Sequence, residues 1–470
     1  MPSTPNIVFV ISDHTNADAI APGSPCLTPN VDALAAEGTR FHHSCTPNAI
    51  CSPARASLMT GLYPSTHGMW DCTHTQRPEW VDVPAARFRY FSHILAENGY
   101  RNAYFGKWHV EQSNKLEDFG WHEYSHKAGS APRKVIPGSE LYVTTNGYRD
   151  CFVAAVSTDE DTPSHPAFDM GIDFIRRHTT ESPGQPFCLF VSTSEPHDTY
   201  IPPKRFFDLY NVGEIPLPES LHDDCSDKPQ IVARLRSIWK DLSDDDWRKI
   251  RACYWATISF LDHEFGRLVQ TLKDAGLYDD TIIVFTGDHG DMMGAHGLLT
   301  KGIGTPYEEV HNVPLVMRVP GCKPAGEDTA TRCSHVDMAA TLLDFCRQPP
   351  LPDAQGRSMR PVFEGKADAS DWTDGYAEFY GQRFVYTQRI VWHSSWKYIF
   401  SPGGIDELYN LESDPHERKN LAGDAAHRST VEEMCKRMWR KMRDIGDNSL
   451  LNSNYANLRV APIGPKSIED

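Results

Sequence analysis

The sequence predicts an α/β protein with a doubly wound, mixed but mostly parallel sheet sandwiched between helices. Three short apolar runs predict central strands buried on both faces, at residues 6–12, 187–193 and 281–287. Helical patterns lie between these runs, and this alternation is typical of parallel strands joined by crossover helices. The length of 470 residues fits this class, because it exceeds what one hydrophobic core usually supports and leaves room for a smaller companion domain.

Two segments carry clear signals for the beginning and the end of a helix. The first has Thr28 as a cap, Pro29 at the first helical position and Gly38 just past its end. The second follows Ser243, carries apolar residues at alternating spacings of four and three, and stops near Gly276. We expect both helices to pack an apolar stripe against the sheet.

The pattern of apolar and polar residues changes near residue 370. Short alternating segments follow, and a helical pattern covers residues 428–443, which together predict a small antiparallel sheet with a C-terminal helix. We therefore expect a larger α/β domain over residues 1–370 and a smaller α+β subdomain over residues 371–470.

Composition and charge exclude several classes of function. The formal net charge is −17, which argues against a nucleic-acid or membrane-surface partner. The twelve cysteines form no Cys-x-x-Cys pair, as expected for a reducing compartment without a zinc site. The first sixteen residues show no basic n-region and only a short apolar run, so we expect a cytoplasmic protein without a signal peptide or a membrane span. Nothing in the sequence predicts the oligomeric state.

The segment CSPARASLMTGLYPSTHG, residues 51–68, carries the most chemical information. Its Cys-x-Pro-x-Arg core places the potential nucleophile Cys51 one helical turn from the cation Arg55, near a proline that can open a helix. A thiol in such an electropositive surrounding is activated toward thiolate chemistry. The alternative is a buried structural cysteine beside a surface arginine.

With Thr60 and Gly61 also in place, this segment resembles the sulfatase signature C-x-[PS]-[SA]-R-x4-T-G. Residues 99–109, GYRNAYFGKWH, resemble the second signature of that family and depart from it at Asn102, where threonine is usual. The chain therefore resembles the type I, formylglycine-dependent sulfatases of the alkaline phosphatase-like superfamily. The resemblance continues through residues 195–198, 260–268, 286–302 and 407–422.

The resemblance implies hydrolysis of a sulfate monoester after a formylglycine-generating maturation enzyme has converted Cys51 to formylglycine. The hydrated aldehyde bears two hydroxyls on one carbon. One hydroxyl would attack sulfur and release the alcohol, and loss of the proton of the second would let the carbon expel sulfate. A serine has no second hydroxyl, so its sulfate ester could not collapse in this way. The expected substrate is a small sulfated sugar, aryl sulfate or alkyl sulfate.

The resemblance also implies one divalent metal ion, to stabilise negative charge on the sulfate and the diol. Four of its expected ligands follow two strand ends, where ligands bind in open α/β sheets: Asp13, His14, Asp288 and His289. Residue 51, as formylglycine formed from Cys51, is the fifth. The alternative is that the aspartates only cap turns. Many sulfatases carry Asp-Asp where this chain has Asp13-His14, which weakens the case for Ca2+ and admits Mn2+ or Mg2+, although Ca2+ remains the first choice. His14 is left open among ligation, substrate contact and packing.

Five further residues match family positions that handle charge around the transferred group. By resemblance, Lys107 and Lys301 would hold sulfate oxygens, and Arg55 would orient the diol. His109 would take the proton that triggers sulfate release, and His197 would protonate the leaving alcohol or steady the ester oxygen.

Two other functions remain open. A phosphonate or phosphate ester hydrolase of the same superfamily would handle a group of similar size and shape, and a non-catalytic anion-binding protein could retain the fold. Which sulfated compound within the expected class is the substrate is not predicted. Long loops are expected at residues 120–165 and 198–230, and side chains that could line a pocket are Trp70, His74, Trp80, Arg133 and Tyr200.

Overall fold

The computed structural model describes residues 4–75, 83, 87–144, 150–324, 326–448 and 456–469. Within these residues the strands are β1 (Asn6–Ser12), β2 (Thr39–Cys45), β3 (Arg101–Gly106), β4 (Glu123–Ser125), β5 (Leu141–Val143), β6 (Cys151–Ala154), β7 (Phe187–Ser192), β8 (Thr281–Gly287), β9 (Leu315–Arg318), β10 (Gly326–Ser334), β11 (Asp374–Gln382), β12 (Phe384–His393), β13 (Trp396–Phe400) and β14 (Glu407–Asn410).

The helices connect these strands and cover both faces of the larger sheet. The α-helices are α1 (Pro29–Glu37), α2 (Cys51–Thr60), α3 (Pro64–His67), α4 (Phe91–Glu97), α5 (Pro166–Glu181), α6 (Lys204–Phe207), α7 (Gln230–Trp239), α8 (Asp244–Asp274), α9 (Glu308–His311), α10 (Val336–Phe345), α11 (Arg360–Phe363) and α12 (Arg428–Ile445). Short 3-10 helices occupy Ala17–Ile20, Leu116–Phe119, His126–Ala128, Val212–Glu214, Tyr278–Asp280, Ala295–Gly297, Ala369–Trp372, Ala425–His427, Ala456–Leu458 and Pro465–Ile468. No helix within the described ranges combines the length and apolar character needed to span a bilayer.

The larger sheet has eight strands in the order β10-β2-β9-β8-β1-β7-β3-β4. Strand β1 lies between β8 and β7, is parallel to both, and is buried along its whole length. Strand β9 runs antiparallel to its neighbours β2 and β8. The predicted fold class, a mixed and mostly parallel sheet between helices, is therefore confirmed.

Side chains of β1 alternate between two hydrophobic layers, as the period of a strand requires. Ile7, Phe9 and Ile11 enter a cluster that also contains residues of α4 and α10. Val8 and Val10 enter a second cluster that contains residues of α1, α5 and α8. The continuous apolar run that predicted β1 thus reflects burial on both faces.

The two predicted helices form, but the beginning of α1 differs in detail. Helix α8 begins after Ser243, whose side chain accepts a hydrogen bond from the backbone N–H of Asp246 in a capping box. Thr28 occupies the cap position of α1 without a side-chain hydrogen bond. The carboxylate of Asp262, on α8, instead accepts hydrogen bonds from the backbone N–H groups of Asn30 and Val31. A cap from a distant helix leaves no local sequence pattern.

The C-terminal part contains a four-stranded antiparallel sheet in the order β11-β12-β13-β14, against which α12 packs. This agrees with the predicted antiparallel sheet and helix, while the boundary between residues 370 and 371 stays a prediction. Residues 120–165 are not one continuous loop, because β4 extends the larger sheet and β5 pairs with β6. Strands of three or four residues are too short to leave a readable alternation.

Candidate active site

Cys51 is the first residue of α2, directly after an extended residue, and is buried. Its Sγ lies 3.2 Å from Nε2 of His289 and 3.5 Å from Oδ1 of Asp13. The N-terminus of a helix carries partial positive charge, which favours an anion at this position. The fold therefore presents the sulfur of Cys51 to the strand ends of the larger sheet.

Neighbouring groups lower the pKa of the Cys51 thiol well below its usual range. A hydrogen bond from the thiol of Cys72 contributes most, burial opposes it, and the positive charges of Lys107 and Lys301 lower the pKa further. Such a thiol is the reactive form of cysteine rather than an inert core residue.

Asp288 connects the ends of two adjacent strands. Its Oδ1 accepts hydrogen bonds from the backbone N–H groups of His289 at 2.8 Å and His14 at 3.3 Å. Its Oδ2 accepts a hydrogen bond from Nε of Arg55 at 2.8 Å. Because β1 and β8 are parallel neighbours, their carboxyl ends meet, and the residues that follow them lie together.

The side chains predicted to ligate a metal lie in one buried group. The ligand atoms of Asp13, His14, Cys51 and His289 all lie within 4.8 Å of one another. Asp288 is adjacent, with Oδ1 3.7 Å from Nε2 of His289. Two carboxylates and two imidazoles buried together match the donor set of a divalent cation.

Two ammonium groups contact different members of this buried group of side chains. Nζ of Lys107 contacts Oδ2 of Asp13. Nζ of Lys301 contacts Nε2 of His14 and lies 3.1 Å from Nε2 of His197. Burial and the charge of Cys51 oppose ionisation of Asp13, but Lys107 and the histidines lower the pKa of its carboxyl below the usual range. The site thus holds Asp13 as a carboxylate between cations.

Arg55 lies one turn along α2 from Cys51 and is buried. Its Nη1 donates hydrogen bonds to Oγ of Ser192 at 2.7 Å and to the carbonyl oxygen of Lys107 at 3.1 Å. Its Nη2 is buried and makes no hydrogen bond to any residue that the structure describes. A buried donor without a partner is costly, so Nη2 is available to a group that enters the site.

Two histidines beside the site differ in their protonation. Burial lowers the pKa of His197, but the charge of Asp13 and the hydrogen bond with Asp198 raise it to about 10. His197 therefore carries a proton at neutral pH. Burial lowers the pKa of His109, whose Nε2 lies 3.3 Å from Nδ1 of His74 and whose Nδ1 is buried without a partner in the described part of the chain. His109 is therefore neutral.

The comparison with protein families agrees with this geometry. Residues 5–346 match the model of the family described as Sulfatase. The chain belongs to the sulfatase family. Residues 294–444 of this sulfatase also match the C-terminal region of N-sulphoglucosamine sulphohydrolase. The resemblance found in the two signatures is confirmed, and the wider superfamily is that of alkaline phosphatase-like enzymes.

Named relatives and solved structures are similar over nearly the whole sulfatase. A choline-sulfatase of Rhizobium meliloti (strain 1021) is 29% identical over 471 residues, covering 93% of this chain and 86% of the relative. A solved structure in complex with D-glucosamine-2-N,6-O-disulfate has a TM-score of 0.75 at 23% identity, covering 95% and 99% of the two chains. A phosphonate monoester hydrolase of Silicibacter pomeroyi has a TM-score of 0.75 at 22% identity, covering 96% and 98%. These structures share the fold.

Residues that support the site were missed in the sequence. Oδ2 of Asp291 lies 2.8 Å from Nδ1 of His14 and accepts a hydrogen bond of 2.7 Å from the hydroxyl of Tyr200. Asp198 pairs with His197, and Cys72 lies beside Cys51. Asp291 and Asp198 lie inside segments that resemble the family and could have been noticed there. Cys72 lies outside both signatures, and no local sequence pattern marks it.

A cavity of about 580 Å³ opens beside Lys107 and His109 in the sulfatase. Of the side chains predicted to line a pocket, His74 does so, together with His126 and Lys127. The others have different surroundings or are not described: Trp70 stacks on Tyr380, Arg133 pairs with Glu195, Tyr200 is fully buried, and Trp80 lies outside the described residues.

Proposed function

We propose that this sulfatase hydrolyses the sulfate monoester of a small molecule, with formylglycine formed from Cys51 as the nucleophile and one divalent metal ion. Membership of the family supports hydrolysis of sulfate esters. The observation that carries the nucleophile is the position of Cys51 Sγ, at a helix N-terminus, 3.2 Å from His289 and 3.5 Å from Asp13. Residue 51 thus faces the metal-ligand group directly.

Asp13, His14, Asp288, His289 and an oxygen of the modified residue 51 would hold the metal ion. A bound divalent cation would act as a Lewis acid toward the sulfate group and the diol. We keep Ca2+ as the proposed ion because the carboxylates and the diol supply hard oxygen ligands. Ligation by both His14 and His289 would instead favour Mn2+, for which imidazole is a better donor than it is for calcium.

The charged side chains would contact different parts of the transferred sulfate group and of residue 51. Lys107 contacts Asp13 and Lys301 contacts His14, so the two ammonium groups are placed to hold different sulfate oxygens. The unpartnered Nη2 of Arg55 is placed to donate to an oxygen on residue 51. These preorganised charges would stabilise the negative charge that grows as the ester bond breaks.

The two histidines fit opposite proton transfers. His197, which holds a proton, would give it to the ester oxygen as the bond between sulfur and that oxygen breaks, so that a neutral alcohol leaves. Neutral His109 would accept the proton of the second hydroxyl on residue 51. The carbon of residue 51 then regains its double bond to oxygen and expels sulfate, which restores the aldehyde.

The cavity beside Lys107 is the space for the alcohol part of the substrate. His74, His126 and Lys127 offer donors or positive charge along its wall. The carboxylate of Glu111 accepts hydrogen bonds from Nε1 of Trp108 and the backbone N–H of Asn114 within its own loop. A wall of donors suits an alcohol with many hydrogen-bond acceptors, so we propose a sulfated sugar ahead of an aryl or alkyl sulfate.

Mass spectrometry of the tryptic peptide covering residues 41–55 tests the nucleophile in protein made by its native host. After thiol alkylation, Cys45 is expected to be alkylated, while position 51 carries the mass of an aldehyde. The variant Cys51→Ala is expected to have no turnover, and its melting temperature checks folding. Alkylated thiol at both positions, or activity retained by Cys51→Ala, would show that the proposed mechanism is wrong.

Substrate class and metal need separate measurements. Initial rates on sulfate monoesters and phosphonate monoesters distinguish the two classes, and kcat/KM higher for the phosphonates would overturn the sulfate proposal. For the metal, elemental analysis of purified protein and melting curves with added Ca2+, Mn2+ or Mg2+ identify the ion independently of turnover. Replacing Asp13 by alanine is expected to abolish that stabilisation by metal.

A further inference from the structure

Cys72 contacts Cys51 inside the site, and no step of the proposed reaction uses it. The sulfur atoms of the two cysteines and a ring nitrogen of His109 all lie within 4.8 Å of one another. The thiol of Cys72 donates a hydrogen bond to the sulfur of Cys51. Both side chains are buried, with 1% of Cys51 and 7% of Cys72 exposed. Two thiols therefore face each other for as long as residue 51 is cysteine.

Two hydrogen bonds hold the loop that carries Cys72 in this position. The backbone N–H of Thr73 donates to Oγ of Ser52, in the first turn of α2, at 3.2 Å. The backbone N–H of Arg383, at the turn between β11 and β12, donates to Oδ2 of Asp71 at 2.7 Å. The residues on either side of Cys72 are thus attached to the helix of the nucleophile and to the C-terminal sheet, which keeps the second sulfur at the site.

Packing alone does not account for the position of Cys72. Three buried cysteines elsewhere in the chain donate their thiols to backbone carbonyl oxygens: Cys26, Cys253 and Cys435. Cysteines of that kind behave as small apolar side chains of the core. Cys72 does pack with Ile50 and Phe379 in an apolar cluster, but its thiol donates to another sulfur. A pair of sulfurs in contact has a chemistry that a single core thiol lacks.

A small oxidant can approach the pair through the cavity beside Lys107. Thr73, the neighbour of Cys72 in sequence, and His109, the neighbour of both sulfurs in space, line that cavity. Cys51 is the first residue of α2, where the partial positive charge of the helix N-terminus favours an anionic sulfur. The anionic sulfur is the nucleophile in cysteine chemistry, so Cys51 is placed to attack and Cys72 to resolve.

We propose that Cys51 and Cys72 form a reversible disulfide in chains whose residue 51 has not been converted, with hydrogen peroxide as the oxidant. The sulfur of Cys51 attacks one peroxide oxygen, the O–O bond breaks, and a sulfenic acid and one water are formed. The sulfur of Cys72 then attacks the sulfenic sulfur, the S–O bond breaks, and the hydroxyl leaves as water with the thiol proton of Cys72. Two thiols and one hydrogen peroxide thus give one disulfide and two waters.

The disulfide keeps an unconverted Cys51 from irreversible oxidation. A sulfenic acid without a neighbouring thiol reacts with more peroxide to sulfinic and sulfonic acids, which thiols do not reverse. The disulfide is reversed by thiol exchange, which restores both cysteines. Formylglycine has no sulfur, so the disulfide is confined to unconverted chains, and the proposal does not rest on the formation of formylglycine.

Peptide mapping of the full chain tests the pair. The protein is made without the maturation enzyme, and alkylation of position 51 shows that it is a thiol. The folded protein is treated with hydrogen peroxide, alkylated in denaturant and digested with trypsin without reduction. Peptides 41–55 and 56–87 are expected to be joined, at a mass two hydrogen atoms below their sum, and to separate with dithiothreitol. The joined pair is expected to persist in Cys45→Ser, because Cys45 shares a peptide with Cys51.

The variant Cys72→Ala measures the protection. Alanine removes the second sulfur and keeps a small apolar side chain in the cluster, and the melting temperature checks folding. Under the same treatment, sulfinic and sulfonic acid at position 51 are expected to increase at least about tenfold, because a neighbouring thiol reacts far faster than a second peroxide molecule. The partly exposed Cys151 and Cys322 report the strength of oxidation in each sample.

Three results would overturn the proposal. The first is the absence of joined peptides in the wild-type protein, which does not depend on how any variant folds. The second is loss of the joined peptides in Cys45→Ser, which assigns the bridge to Cys45. The third is equal oxidation of Cys51 in the wild-type protein and Cys72→Ala. Failure to find an aldehyde at position 51 in the native host is a different result, which refutes the formylglycine nucleophile and leaves the disulfide standing.

Discussion

Replacing Lys397 by methionine is expected to weaken the attachment of the C-terminal sheet to the rest of the protein. Lys397, on β13, is fully buried, and its Nζ lies 2.9 Å from Oε1 of Glu308 and 2.8 Å from Oε1 of Glu417. Glu308 begins α9, which follows the active-site segment that contains Lys301. Its Oε1 also accepts a hydrogen bond from Nε1 of Trp392. The lysine therefore neutralises buried charge at the junction between the two parts of the chain.

The expected loss of stability is about 3–5 kcal/mol at pH 8, because methionine keeps the packing but removes the ammonium group that lies between the two carboxylates. This is a large share of the usual total of about 5–15 kcal/mol. An entropy of unfolding of about 2.1 cal/mol/K per residue gives about 1 kcal/mol/K for this chain. The melting temperature is thus expected to fall by about 3–5 °C.

The loss is expected to grow with pH. Burial would raise the pKa of Glu308, but the charges of Lys397 and Arg332 lower it to about 2. Ionised Glu308 therefore contributes to the free energy of unfolding above the unfolded pKa of 4.5, and this contribution is lost at more acidic pH. Burial raises the pKa of Glu417 to about 7, so the wild-type protein loses stability as pH rises from 4.5 through 7. Without Lys397 the pKa of each of the two carboxyls is expected to rise, and each unit of that rise costs about 1.4 kcal/mol once the group ionises. The variant therefore differs from wild type less at pH 5 than at pH 8.

Melting curves of wild type and Lys397→Met at pH 5 and pH 8, at one scan rate, measure these differences. Lys204→Met is the matched control, because its ion pair with Asp208 is exposed and is worth less than about 1 kcal/mol. A shift for Lys397→Met no larger than that of the control would refute the reasoning. A larger shift at pH 5 than at pH 8 would show that the carboxylates are not what the lysine neutralises.

Three further outcomes follow from the structure. Lys301→Ala is expected to raise KM and lower kcat together, with kcat/KM reduced about 10²–10³-fold, in steady-state kinetics on a sulfate ester; an unchanged kcat/KM removes Lys301 from the site. Asp291→Asn is expected to reduce kcat/KM about 10–100-fold by changing the tautomer of His14, and activity equal to wild type contradicts that role. Ser243→Ala removes the capping box of α8 and is expected to lower the melting temperature by about 1 °C, whereas Ser237→Ala, in an exposed position of α7, is expected to leave it unchanged.

The sequence was most informative where burial on both faces makes a strand continuously apolar. Residues 6–12 and 281–287 were predicted as strands, and the structure has β1 (Asn6–Ser12) and β8 (Thr281–Gly287). Because parallel strands place their carboxyl ends at one edge, Asp13 and Asp288 could be expected to lie near each other. The structure brings them together with Cys51, while their roles as metal ligands stay predictions.

Contacts between distant segments could not be read from the sequence. The cap of α1 comes from Asp262 on another helix, and the thiol beside Cys51 is Cys72, which belongs to no motif. Arg332 and Arg40 look alike as sequence, yet Arg40 forms ion pairs with Asp32 and Glu327, whereas the guanidinium of Arg332 lies over the ring of Trp392. Such differences depend on which side chains the fold places opposite each arginine, and the local pattern carries no information about that.

The histidine at position 14 shows how a departure in a motif acquires its meaning from the fold. From the sequence, replacing a carboxylate by His14 removes negative charge from the expected metal site. In the structure, Nδ1 of His14 lies 2.8 Å from Oδ2 of Asp291, whose Oδ1 accepts hydrogen bonds from the backbone N–H groups of Met293 and Thr300. A carboxylate can only accept, so the proton of neutral His14 lies on Nδ1, and Nε2 presents its lone pair to the site, where Lys301 contacts it. The carboxylate of Asp291 thus lies on the Nδ1 side of the His14 ring, and Nε2 of His14 offers the electron pair that a carboxylate oxygen would offer at position 14.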